Sequence, residues 1–93
     1  MEKEVIKLHE LKLQKEFCQD VYDGRKTFEV RLNDRGFQRG DFVKFLPMDG
    51  PFNFSHSIQN KLYKITYVLS GWGIKKNYVV FGIKEAEHIK GGD

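Results

Sequence analysis

The chain has 93 residues, 40% of them hydrophobic, and a formal net charge of +3 from 16 basic and 13 acidic side chains. This length supports one domain with one modest core, so residues 1–93 are expected to form a single domain with a frayed tail after about residue 85. No apolar run approaches the roughly 20 residues of a membrane span, the first residues lack a signal-peptide pattern, and a lone Cys18 excludes an internal disulfide. These features predict a cytoplasmic protein without membrane contact.

The first predicted elements are a strand and a helix. Residues 5–13 alternate, with Leu11 and Leu13 on one face, as in a strand. Over residues 14–23, apolar side chains recur at positions i, i+1, i+4 and i+5, which is the spacing of a helical stripe. Gly24 follows at once and suits the left-handed conformation that commonly ends a helix.

A second strand, over about residues 26–32, carries a concentration of charge. Side chains alternate between the two faces of a strand. Phe28, Val30 and Leu32 therefore share an apolar face, and Thr27, Glu29 and Arg31 share a polar one. With Lys26 at the strand entrance, one carboxylate and two cations converge. We expect them within salt-bridge reach in a concave pocket, where they can neutralise one another or hold an anionic or amide-bearing ligand. The alternative is an ion-pair network on the outside of the domain.

Three further strands complete the predicted domain. The remaining segments are a turn at 33–36, a third strand at 42–46, a long exposed loop at 47–57, a fourth strand at 58–69, a loop at 70–73 and a fifth strand at 78–84. The fifth strand is apolar on both faces, which predicts a central position in the sheet. One principal helix with about five short, mainly antiparallel strands predicts a small α+β barrel.

Basic and aromatic residues are distributed unevenly. All four arginines fall within residues 25–39, and residues 50–84 contain five lysines, several aromatic residues and no Asp or Glu. A fold that brings these two segments together would have one basic face, the usual electrostatic footprint of nucleic-acid binding. The alternative is a set of solvated lysines on ordinary strands.

The order of Gly24, Lys26, Glu29 and Arg31 resembles the Gly-x-Lys-x-x-Glu-x-Arg signature of the ASCH family, small β-barrels of the PUA-like superfamily. The resemblance extends over most of residues 8–84. It includes His9-Glu10-Leu11-Lys12, Asn33-Asp34-Arg35, Gly40-Asp41 and Tyr78-Val79-Val80-Phe81-Gly82. The resemblance implies a PUA-like barrel that binds RNA or a nucleotide-like ligand.

The predicted ligand- or RNA-binding residues are Gly24, Arg25, Lys26, Glu29, Arg31, Asp34, Arg35 and Trp72. The arginines would contact phosphates or base edges, since a guanidinium is a planar two-pronged donor. Glu29 would orient Arg31 or accept from a base amine. The Trp72 indole, in a glycine-flanked loop, would stack on an unpaired base or, alternatively, pack over the end of the barrel. The histidines and the cysteine lack zinc-ligand spacing, so no metal or cofactor is expected, and the oligomeric state stays open.

An enzyme is the main functional alternative. Some small ASCH proteins are similar in sequence and hydrolyse amides of modified nucleosides, using a threonine three residues after the motif lysine and a glutamate from a distant strand. Here the third residue after Lys26 is Glu29, and residues 50–84 contain no acidic residue. Both departures count against an amidohydrolase acting on an acylated nucleoside, which stays the alternative. A protein-interaction module built on the aromatic loops is the third alternative.

Overall fold

The computed structural model describes residues 5–86. The elements are β1 (Leu8–Gln14), α1 (Lys15–Tyr22), β2 (Phe28–Leu32), β3 (Phe42–Asp49), β4 (Phe52–Asn53), a 3₁₀ helix (Ser57–Asn60), β5 (Tyr63–Leu69) and β6 (Tyr78–Glu85). Across these residues the domain is α+β, with one α-helix and six strands. The predicted five strands all exist, and β4 is an addition. No helix of this part of the chain is long and apolar enough to span a membrane.

All six strands belong to one sheet. Its order is β1-β3-β5-β6-β2, with β4 paired to the end of β3. The prediction that the last strand is central is confirmed, because β6 lies between β5 and β2. Four strand pairs are antiparallel, whereas β1 and β3 are parallel. The parallel pair is possible because α1 and β2 intervene in the chain and supply the long crossover that parallel strands need.

The sheet curls into a half-barrel, so that its two edge strands approach each other. A guanidinium nitrogen of Arg31, on β2, donates to the backbone oxygen of Lys12, on β1, at 2.8 Å. Arg35, just after β2, donates to the backbone oxygen of Glu10 at 3.1 Å. The line between β1 and β2, called the seam below, is therefore bridged by side chains, whereas the other strand neighbours share backbone ladders.

The core fills the inside of the curl. Its buried apolar members are Leu11, Leu13, Cys18, Val21, Phe37, Val43, Phe45, Ile58, Tyr63, Ile65, Val79, Phe81 and Ile83. Nine of them come from alternate positions of four strands, as a half-buried sheet requires, and the other four come from α1, the segment between β2 and β3, and the 3₁₀ helix. Helix α1 packs against β1, β3 and the 3₁₀ helix, so it covers one side of the curl and leaves the outer face of β2 without a helix.

Helix α1 ends close to where the sequence predicts. Gly24 has a φ of +78°, and its N–H donates to the backbone oxygen of Val21 at 3.1 Å. A Cβ atom at this position would meet nothing within 4 Å. The left-handed conformation, rather than close packing within the chain, therefore accounts for glycine here.

The predicted long loop at 47–57 is wrong at both ends. Strand β3 continues to Asp49 and turns back through Gly50, whose φ is +58°, into β4. Ile58 is fully buried and lies in the 3₁₀ helix Ser57–Asn60 instead of a strand. The His56 ring accepts a hydrogen bond from the Ile58 N–H at 2.9 Å, which caps that turn. Burial of one isoleucine thus overrides the alternating pattern that predicts a strand from residue 58.

Candidate functional site

Strand β2 turns its charged face into the half-barrel. Glu29 is 2% exposed and lies opposite Phe81, a fully buried residue of the neighbouring strand β6. The apolar side chains of Phe28 and Val30 point outward and remain 45% and 53% exposed. The outward side chains of β2 stay exposed because α1 packs against β1, β3 and the 3₁₀ helix, and nothing in the described chain covers the outer face of β2.

Glu29 is held between two cations. One carboxylate oxygen accepts from the Lys26 ammonium at 2.5 Å, and the other accepts from two nitrogens of Arg31 at 3.0 and 2.9 Å. The predicted salt-bridge contacts are confirmed. The Lys26 and Arg31 side chains are 19% and 25% exposed. These three residues, called the charged cluster below, thus place two partly exposed cations between a buried carboxylate and solvent.

The charged cluster also uses part of its hydrogen-bonding capacity for the fold. Lys26 donates to the backbone oxygen of Phe28 at 2.7 Å, and Arg31 bridges the seam to Lys12. The second terminal guanidinium nitrogen of Arg31, Nη1, has no hydrogen-bond partner among residues 5–86. A ligand at this site would therefore find at least one guanidinium nitrogen ready to donate.

Two exposed aromatic rings flank the Lys26 ammonium. Its nitrogen lies 5.3 Å from the ring centre of Phe17 and 5.0 Å from that of Phe28, within the range of a cation–π interaction. Both rings are exposed, at 41% and 45%. Neither residue is predicted from the sequence as part of the site, because each fits an apolar stripe. One feature of the sequence could have identified Phe17. A narrower helical stripe through Cys18 and Val21 is enough to form the buried face of α1, and Phe17 lies outside that stripe.

Two other predicted site residues, Arg25 and Asp34, form ion pairs outside the charged cluster. Arg25 donates to Asp20 at 3.1 Å and to Asp23 at 2.7 Å. The hydrogen bond to Asp20, followed by the charge of Asp23, raises the pKa of Arg25. Asp34 is exposed and lies 3.9 Å from Arg35. Arg25 is thus paired with carboxylates at the end of α1, and Asp34 lies beyond β2 in the turn.

Trp72 lies at the other end of β2 from Lys26. The loop that carries it leads into Tyr78, which pairs with Leu32 at the end of β2, whereas Phe28 at the start of β2 pairs with Gly82. The four residue steps along this strand span about 13 Å. The indole is 88% exposed, so the alternative of a tryptophan packed over the barrel end is wrong.

A second buried polar pair was missed in the sequence. His9 and Asp41 share a hydrogen bond of 2.8 Å, and both residues are buried. Burial raises the pKa of Asp41, but hydrogen bonds from His9 and from the backbone N–H groups of Lys7 and Gln38 outweigh it, so that the pKa is lowered. All of these hydrogen bonds lie within the chain, so the pair has a structural role and connects the start of β1 to the start of β3.

The described residues show neither a metal centre nor a reactive thiol. Over residues 5–86, no group of three or more His, Cys, Asp and Glu side chains is placed to hold a metal ion. Burial, followed by the nearby charge of Glu29, raises the pKa of the Cys18 thiol. A buried thiol with a raised pKa is a poor nucleophile.

Over the described residues, the domain is a small α+β half-barrel with one α-helix, and an edge strand carries a buried carboxylate held by two partly exposed cations. Residues 8–83, from the first residue of β1 nearly to the end of β6, match the model of a family described as "Domain of unknown function (DUF3850)". The chain belongs to this family. No curated protein matches it.

Proposed function

We propose that the domain binds RNA or a nucleotide-like ligand at the charged cluster, within a PUA-like barrel of the ASCH type. The observation that carries this proposal is the position of the Lys26 ammonium between the exposed rings of Phe17 and Phe28. A nucleotide combines an anionic phosphate with a flat base. Cations beside exposed aromatic rings can serve both parts at once.

The charges at the site favour an anion. Lys26 and Arg31 contribute two positive charges against the one carboxylate of Glu29, and both cations are more exposed than that carboxylate. Glu29 orients the cations, since its two oxygens accept from both of them. A phosphate could accept from Arg31 Nη1 without displacing Glu29.

A purely structural role does not account for the aromatic rings. An ion-pair network that only closes the half-barrel requires Glu29, Lys26 and Arg31, and it gains little from phenylalanines left nearly half exposed. Large apolar side chains at the rim of a charged site are more useful as stacking surfaces. This observation favours a ligand with a planar group over a simple inorganic anion.

The amidohydrolase alternative gains no support from the geometry. The Lys26 ammonium bonds to Glu29 and to a backbone oxygen, and the Cys18 thiol is buried. Neither group is arranged as a nucleophile beside a base.

Binding of a labelled single-stranded RNA by fluorescence anisotropy tests the proposal. We expect an affinity near micromolar that falls with salt, because each phosphate neutralised contributes about −0.7 to the slope of log K against log salt and a small site makes about two to four contacts. Phe28→Ala and Lys26→Ala should weaken binding, whereas Phe52→Ala, an exposed phenylalanine on β4, and Lys44→Ala, an exposed lysine on β3, should not. Equal effects of site and control variants, or no binding at low salt, would refute the proposal.

A further inference from the structure

The hairpin loop between β5 and β6, residues 70–77, presents Trp72 in an unusual way. Gly71, Trp72 and Gly73 have φ values of +73°, +56° and +86°, so three successive residues are left-handed. This conformation is unfavourable for a residue with a side chain. The indole is 88% exposed, so packing within the described chain does not compensate for that conformation. Backbone strain that internal packing does not offset is typical of functional sites.

A cavity of about 400 Å³ lies beside this loop. The polar side chains that line it are Ser70, Lys75, Lys76, Asn77 and Asn33. Its lining includes no carboxylate, and within residues 5–86 neither lysine forms a salt bridge. The Lys75 ammonium lies 5.2 Å from the ring centre of Tyr78, at the cavity wall. Two cations and several neutral hydrogen-bonding groups therefore line a space whose wall includes Gly71, the residue before the exposed Trp72.

This combination fits a phosphate group with a nucleobase next to it. Lysine ammonium groups bind phosphate as point charges, and an indole stacks on a base of any identity. The base must be unpaired, since a duplex hides its faces in the stack. An acidic peptide would also find the two lysines, but it offers the indole no planar partner unless it carries an aromatic residue.

Lys26, with its two aromatic neighbours, and the hairpin loop lie too far apart for one nucleotide. Lys26 stands before Phe28, and the hairpin loop adjoins the other end of β2, where the Asn33 N–H donates to the backbone oxygen of Asn77 at 2.8 Å. The strand between them spans about 13 Å. A polymer that contacts both Lys26 and the loop must span this distance and so must contain more than one nucleotide, as is usual for single strands on small β-barrels.

We propose that the hairpin loop is a second contact site for single-stranded RNA, with Trp72 stacking on a base and Lys75 and Lys76 binding phosphate. The natural ligand would then be a single strand several nucleotides long rather than a mononucleotide. This inference rests on the function proposed for the charged cluster, and it assigns the loop a binding role that is independent of that cluster.

The fluorescence of Trp72 reports directly on this loop, because it is the one tryptophan of the chain. Titration with a single-stranded oligouridylate should change its emission at low salt. Uridine monophosphate and inorganic phosphate, at the same phosphate concentration, should do so much less. Unchanged emission at saturating oligonucleotide would overturn the inference.

A length series of labelled oligouridylates completes the test, with Trp72→Ala and the double variant Lys75→Ala/Lys76→Ala compared with Lys44→Ala. For long oligonucleotides, loss of the indole should weaken binding by about fivefold to a hundredfold. The double variant should flatten the salt dependence, and Lys44→Ala should have no such effect. Binding of the mononucleotide at the charged cluster should not change. All four side chains are exposed, so the variants are expected to fold, which thermal unfolding checks.

The two proposals fail in different ways. If Lys26→Ala abolishes binding of every oligonucleotide and Trp72→Ala has no effect, the loop site is refuted and the charged cluster stands. If oligonucleotides still perturb Trp72 when Lys26→Ala leaves their affinity unchanged, the loop site stands and the charged cluster is refuted. Affinity that does not grow with length would refute the two-site strand.

Discussion

Strands β2 and β6 are neighbours in register, yet the inward face of β6 is apolar and the inward face of β2 is charged. The inward side chains of β6, Val79, Phe81 and Ile83, are buried and apolar. Across the ladder, the inward position opposite Phe81 holds a carboxylate, Glu29, while the outward position opposite Val80 holds Val30, which is 53% exposed.

The difference follows from position in the sheet. Strand β6 is central, so the core and neighbouring strands enclose its inner face. Strand β2 is an edge strand beside the seam, where Arg31 and Lys26 reach partial exposure and can hold a carboxylate. Alternation in a sequence therefore separates the two faces of a strand, and the neighbours of the strand decide which face can hold charge.

The largest expected effect comes from removing the carboxylate that distinguishes β2. Glu29→Ala leaves two partly buried cations without their partner. Loss of one member of a buried ion pair costs about 3–5 kcal/mol, and the partial exposure of Lys26 and Arg31 argues for the lower end, about 3 kcal/mol. Urea denaturation would measure the change in free energy of unfolding.

Glu10→Ala is the matched control, because Glu10 is an exposed glutamate on the other edge strand, β1. Its effect should be within about 0.5 kcal/mol. If the two substitutions destabilise the protein equally, Glu29 is not the buried centre of an ionic cluster. The inward face of β2 then holds no stabilising charge that distinguishes it from the inward face of β6.

Much of this contrast could be predicted from the sequence. The alternation around Glu29 predicts a shared face for the charged residues, and the spacing from Lys26 to Arg31 predicts their contact, because both depend on local strand geometry. The predicted helix and central last strand also depend on local periodicity and composition, which the sequence carries directly.

The parts that could not be predicted depend on distant contacts. Pairing of β1 with β3 in parallel depends on the path of α1 and β2 between them. Exposure of Phe17 depends on which side of α1 meets the sheet. The separation of Trp72 from Lys26 depends on the register between β2 and β6. Neither the parallel pairing nor the separation of Trp72 from Lys26 has a signal in the spacing of nearby residues.

An intermediate effect should follow from adding a side chain at Gly82, on the outer face of β6. A Cβ atom at Gly82 would lie 2.6 Å from the Thr66 side-chain oxygen, beside the irregularity between Ile65 and Tyr67. Gly82→Ala should therefore destabilise the protein by about 1–3 kcal/mol. Thr66→Ala removes that oxygen and should restore most of the loss. A double-mutant cycle of unfolding free energies measures the coupling, and strict additivity would contradict the expected clash.

The smallest effect should come from the outer face of β2. Val30→Thr adds a hydroxyl where the side chain is already 53% exposed, so the free energy of unfolding should change by less than about 0.5 kcal/mol. The same substitution at Val79, which is 3% exposed and faces inward on β6, buries a hydroxyl and should cost about 1–3 kcal/mol. Thermal unfolding of both variants compares the two faces, and equal shifts in Tm would show that the outer face of β2 is covered.

The seam gives the half-barrel a line along which it can open. Two arginine side chains cross it, whereas breaking any other long strand boundary would disrupt a backbone ladder. Local fluctuations should therefore concentrate between β1 and β2, at a free energy below that of global unfolding. An anion that draws the Arg31 guanidinium away from the Lys12 carbonyl would favour the open state. By the reciprocity of linked equilibria, opening of the seam would in turn strengthen the binding of that anion.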